Sequence, residues 1–66
     1  MNHDNDNLPD RLLRLKEVQQ VTAMGRSSIY RNMSSGLFPK PVALGSGSVR
    51  WRVSDIRQWM QNLEAA

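Results

Sequence analysis

Gly36, Pro39 and Pro41 crowd the middle of this 66-residue chain and divide it into two parts with different periodicity. Proline lacks the N–H donor and clashes with the preceding helical turn, so no helix crosses residues 36–41. Glycine enters the left-handed backbone region without steric cost, so a helix can end at Gly36. Leu37 is then placed to make the apolar contact that often follows such a cap. Before the break, apolar residues recur at helical spacing; after it, the pattern becomes that of strands.

In the first part, Leu12 and Leu13 open the apolar pattern, and Leu15, Val18, Val21 and Thr22 follow. "LKEVQQVT" therefore predicts a short amphipathic helix, one without a good N-cap. "AMG" reads as a tight turn with Met24 pointing inward. Gly25 serves as N-cap of a second helix over about residues 26–35.

In the second part, "PVALGSGSVRWRV" is β-prone, and "GSGS" supplies the positive φ angles that a hairpin turn requires. Alternation puts Val49, Trp51 and Val53 on one face and Arg50 and Arg52 on the other. A last helix is expected to open with Ser54 as N-cap and Asp55 in its first turn. Ile56, Trp59, Met60 and Leu63 form its apolar stripe. The order is helix, turn, helix, hairpin, helix: a mainly α fold with a short β-hairpin, on the plan of a small winged helix-turn-helix. Trp51 and Trp59 fall in phase with apolar neighbours and are assigned to the core.

Charge is divided as sharply as periodicity. Asp4, Asp6 and Asp10 lie in the first ten residues, which hold no Lys or Arg and read as a disordered acidic tail, 1–10, ahead of one domain, 11–64. Residues 11–66 carry nine basic side chains against Glu17, Asp55 and Glu64, a net of +6. Such a balance suits a polyanion, nucleic acid first, with an acidic protein or a membrane surface second.

Other functions find little support. Without cysteine there is neither a disulfide nor a thiolate metal site. The one histidine, His3, lies in the tail, so neither a Ser/His arrangement nor a histidine-based metal site can be assembled. The carboxylates form no convincing acid/base pair. "GSGS" lacks the lysine and following helix of a phosphate loop. No catalytic residues, metal or cofactor are expected. The apolar runs are too short to span a membrane, and "MNHDNDNLPD" has no signal-peptide pattern, so a cytoplasmic protein is expected.

The second helix carries the most chemistry. On a helical wheel Ile29 and Met33 lie about 40° apart and dock the helix onto the first. Ser27, Tyr30, Arg31 and Ser34 occupy the opposite arc. Hydroxyls, a phenol and a guanidinium on one face suit a major-groove reader: Arg bonds guanine O6 and N7 together, and Ser or Tyr contacts bases or phosphates. Arg26 stands in the first turn, beside free helix N–H groups that favour a phosphate. The same face also reads as a merely solvated one; the tight turn before it favours DNA. Arg50 and Arg52 admit two readings, a wing along phosphates or a minor groove, or charges protecting an edge strand.

"RLLRLKEVQQVTAMGRSSIYR", "GLFPKPVALG" and "VRWRVSDIRQWM" together resemble the AlpA-type phage and prophage transcriptional regulators, relatives of small excisionases and of the MerR-like DNA-binding domain. The resemblance covers about four-fifths of the chain, from Leu12 to Leu63. It implies a bacterial or phage protein that binds double-stranded DNA through its second helix and wing. By position, Arg26, Ser27, Ser28, Tyr30 and Arg31 match the recognition-helix segment, and Lys40 and Arg50 match the approach to the wing and the wing itself. Gly25 departs from the capping Ser or Thr usual there, Val53 stands where a charged residue is common, and the acidic tail lies outside the family pattern.

Three functions follow as expectations. The first is a sequence-specific DNA-binding regulator. The second is an excisionase, an architectural protein that helps an integrase choose excision. The third is a protein-binding inhibitor module using the same basic face. RNA polymerase or an integrase are the expected protein partners. The chain is expected to be a monomer in solution that assembles cooperatively on DNA.

Overall fold

A computed structural model of the chain describes residues 10–66. Most of the predicted acidic tail, residues 1–9, lies outside the described residues. The elements are β1 (Leu12–Leu13), α1 (Leu15–Thr22), α2 (Arg26–Ser34), β2 (Val42–Gly45), β3 (Ser48–Arg52) and α3 (Val53–Gln61). The three strands form one antiparallel sheet in the order β1-β3-β2.

α1 occupies the predicted "LKEVQQVT". Its start is better finished than the sequence suggests, because the Glu17 side chain reaches back to accept from the Arg14 N–H at 2.8 Å. α2 begins after Gly25, as expected, and ends at Ser34, with Ser35 as its C-cap. There Gly36 takes φ 76°. Its N–H donates to the Met33 carbonyl at 3.1 Å, and the Leu37 N–H donates to the Asn32 carbonyl at 2.8 Å. This pair of bonds is the Schellman closure that glycine makes possible. Leu37 itself stays 66% exposed, so the expected apolar contact is not the one that forms. Phe38 goes inward in its place.

The hairpin turn is Ser46–Gly47, both residues at positive φ, between the paired Gly45 and Ser48. Positive φ at both central positions matches the right-handed twist of the flanking strands. Leu44 is the extra residue of a β-bulge between Ala43 and Gly45. β1 has no counterpart among the elements expected from the sequence. Its two residues pair with Arg52 and Trp51, turning a hairpin into a three-stranded sheet.

The core is one residue deep. Leu13, Val18, Ile29, Phe38, Trp51 and Ile56 are buried, one each from β1, α1, α2, the loop after α2, β3 and α3. Burying such aliphatic or phenyl side chains stabilises by roughly 1.5–3 kcal/mol each. Leu15, Met24, Met33, Val53 and Trp59 pack partly against this cluster, which confirms the inward Met24 and the docking role of Ile29 and Met33. β2 contributes no buried residue, so it is the strand least tied to the core.

Five apolar residues depart from the expected periodicity. Val49, expected beside Trp51, is 37% exposed because nothing packs over the hairpin tip. Val53 begins α3 instead of continuing the strand. Met60 and Leu63 are 37% and 58% exposed; Leu63 lies beyond the end of α3 at Gln61, and the last contact of that helix with the core is Trp59. Val21, the last apolar residue of the α1 stripe, is 50% exposed. Val21 and Met60 instead line an open groove of about 210 Å³ with Leu13, Val53 and Ile56.

The start of α3 also differs. Arg52, extended at φ −73° and ψ 135°, is the N-cap, so Ser54 comes too late to cap. Its N–H is one of the free donors of the first turn. Asp10 meets it: one carboxylate oxygen accepts from the Ser54 N–H at 3.2 Å, and the other accepts from the Ser54 hydroxyl. These bonds, led by the one from the hydroxyl, hold the Asp10 carboxyl below its ordinary pKa. Asp10, grouped with the tail on sequence, thus touches the folded body.

Candidate nucleic-acid interface

Three residues, Ala23, Met24 and Gly25, join α1 to α2. Ala23 adopts the left-handed conformation, φ 59° and ψ 28°, and its N–H closes α1 on the Gln19 carbonyl at 2.8 Å. Thr22 tightens the corner: its hydroxyl donates to the Val18 carbonyl at 2.7 Å and accepts from the Met24 N–H at 3.3 Å. With Met24 half-buried, the turn has an anchor and α2 leaves it in a fixed direction.

α2 presents its polar arc outward. Ser27, Arg31 and Ser34 are exposed, and Ser28 is half-buried beside the fully buried Ile29. Ser34 spends its hydroxyl proton within the helix, donating to the Tyr30 carbonyl at 3.2 Å, and keeps acceptor capacity outward. Tyr30 is 38% exposed and has a second relation that the sequence did not reveal. Its ring meets Trp51 edge-on, with centroids 6.5 Å apart, while the Arg26 guanidinium lies 5.8 Å from its centroid. The phenol therefore leans on the core and carries a cation on its outer side.

The start of α2 has no side-chain cap and no acidic residue in its first turn. By contrast, α1 has Glu17 on its cap N–H, and α3 has Asp10 and Asp55. A helix start carries partial positive charge, so a carboxylate there is stabilising and its lack leaves room for another anion.

The remaining predicted contacts are spread out. Lys40 is exposed between Pro39 and Pro41, on the link from α2 to β2. Arg50, in the two-stranded arm opposite Val42, is half-buried, and its guanidinium turns back to donate to the Val49 carbonyl at 2.8 Å. Arg52 ends β3, opposite Leu12, in a 3.9 Å ion pair with Asp55. Arg50 and Arg52, two residues apart on β3, are therefore paired with different strands, β2 and β1. Arg26, Ser27, Ser28, Tyr30, Arg31 and Ser34 share one helix. Among the described residues, Arg52–Asp55 is the one ion pair, and no cluster of His, Cys, Asp or Glu suits a metal. No helix there is long and apolar enough to cross a membrane.

Two helices joined by a tight turn, followed by a β-hairpin and a third helix that closes the core, define a small winged helix-turn-helix domain. The chain belongs to the AlpA family of phage and prophage regulators: residues 11–64 match the family model described as "Prophage CP4-57 regulatory protein (AlpA)". It is similar to "Uncharacterized protein ORF88" of Enterobacteria phage P4, at 40% identity over 57 residues. That similarity covers 80% of this chain and 65% of the phage protein's length. No solved structure matches the chain.

Proposed function

We propose that this chain is a sequence-specific DNA-binding regulator of a phage or prophage, with α2 in the major groove. The observation that carries this reading is the combination on α2. It is the helix whose start no carboxylate occupies, and its outward arc is Ser27, Tyr30, Arg31 and Ser34. Arg31 is the reader, suited to guanine O6 and N7, and Arg26 meets a phosphate at the free helix N–H groups. Ser27, Ser28 and Ser34 supply hydroxyl contacts that fix register. The β2–β3 arm lies along phosphates or a minor groove, with Arg50 the nearer cation and Arg52 held back by Asp55. The working unit is residues 11–64, acting in the bacterial cytoplasm. A single module of this kind buries roughly 600–1,000 Å² on DNA, which favours cooperative binding of several copies.

Selection of binding sites from a random duplex pool tests this, with Arg31→Ala as control. One motif enriched by the parent and lost in the variant is the expected result. Failure of the folded parent to enrich any motif would overturn the reading. Where the motif lies in a host genome then assigns its use: over a promoter for regulation with RNA polymerase, or in an array beside an attachment site for excision with an integrase.

A further inference from the structure

The loop after α2 is held more firmly than a connection needs to be. Its residues form no helix or strand, yet two of its carbonyls are claimed by indoles from different elements. The Trp51 Nε1–H, from β3, donates to the Pro39 carbonyl at 3.0 Å. The Trp59 Nε1–H, from α3, donates to the Leu37 carbonyl at 2.9 Å. Between them Phe38 is 4% exposed and meets the Trp59 ring edge-on at 4.8 Å between centroids. Gly36 and Leu37 are already tied to α2 by the Schellman bonds. Pro39 and Pro41 have fixed φ, and the residue before Pro41 is confined to extended backbone. The one side chain of the segment 37–41 that is both charged and exposed is Lys40.

We propose that residues 37–41 are a rigid DNA-contact element in their own right, in which Lys40 meets a phosphate and Trp59 is the residue that positions it. The inference rests on the DNA-binding reading above and deepens it. Lys40 stands on the link between α2 and the wing, so an immobile backbone there sets the spacing of the two. A lysine on a mobile loop loses freedom when it binds; a backbone already fixed by two indole bonds and two prolines loses less. Indole supplies both parts of the clamp: a flat apolar body against Phe38 and a donor for a loop carbonyl that no ladder pairs. Phenylalanine at position 59 would keep the first part and lose the second.

The test measures binding to the selected duplex across a range of salt concentrations for the parent, Lys40→Ala, Trp59→Phe and the double variant, with folding checked by thermal melts. Lys40→Ala is expected to lower the slope of log affinity against log salt by about one unit. Trp59→Phe is expected to lower the slope in the same direction, and to have no further effect in the Lys40→Ala background. Should Trp59→Phe reduce the folded fraction, Pro41→Gly loosens the segment with both indoles intact and is expected to show the same dependence on Lys40. An equal loss in both backgrounds, or a slope unchanged by Trp59→Phe or by Pro41→Gly, would overturn the positioning role. An unchanged slope in Lys40→Ala, with the selected motif still bound, would overturn the contact and leave the reading of α2 standing. A folded parent that binds no duplex would overturn both.

Discussion

α2 and α3 are both nine residues long and each is anchored by one fully buried isoleucine, yet their first turns are finished in opposite ways. α3 starts against carboxylates. Asp10 takes the Ser54 N–H and hydroxyl, and Asp55 sits in the first turn, paired with Arg52. α2 starts on Gly25, with a cation in its first turn instead of an anion. A helix start is already partly positive, so Arg26 there works against helix stability. The contrast distinguishes a helix start completed by carboxylates of the protein from one that no carboxylate among the described residues occupies.

The largest effects should come from the anchors, which test whether the two helices are equally held. Ile29→Ala and Ile56→Ala should each cost roughly 2–5 kcal/mol, enough to leave so small a domain largely unfolded. Denaturant titration at low temperature would compare them, and a much smaller loss at Ile29 would show α2 to be only loosely seated.

Arg31→Ala should leave the melting temperature nearly unchanged and remove roughly 1–3 kcal/mol of discrimination at one base pair. A titration of selected and mismatched duplexes reads this directly.

Gly25→Asp would make the start of α2 resemble that of α3. Backbone angles of −76° and 161° accept any residue, and a Cβ there meets nothing within 4 Å. The fold should gain a few tenths of a kcal/mol from the new cap while DNA affinity falls, since the added carboxylate displaces the phosphate. Stability and binding moving in opposite directions is the expected signature; unchanged binding would place the helix start away from DNA.

The smallest effect is at Asp10, whose folded-state pKa is depressed. Its contribution is fully present above the ordinary carboxylate value of 3.8 and is lost as pH falls through the depressed one. Asp10→Asn should therefore melt lower than the parent at neutral pH, with the gap closing in acid. A gap independent of pH would mean that the charge plays no part.

Much of the fold is legible in the sequence because it rests on local chemistry. The α1 span, the Gly25 start of α2, its end before Gly36 and the positive-φ hairpin turn all depend on residues within a turn or two of each other. The polar arc of α2 is equally legible, because 3.6 residues per turn fixes which side chains oppose Ile29. Where periodicity misleads, the missing partner is distant. β1 is two residues with no pattern of their own, visible only once β3 lies beside them. Met60 and Leu63 continue a good stripe, but periodicity says which face is apolar and not how deep the core is.

The sequence by itself therefore determined the order of the three helices and the hairpin, most of their boundaries and which face of α2 carries guanidinium and hydroxyl groups, because these follow from backbone sterics and helical geometry. Tertiary structure alone decided that Asp10 completes α3, that Phe38 and not Leu37 turns inward, that Tyr30 leans on Trp51, and that two indoles hold the segment bearing Lys40. Each of those is a hydrogen bond or ring contact between residues far apart in the chain. Such partners are brought together by the fold as a whole, and no local pattern records them.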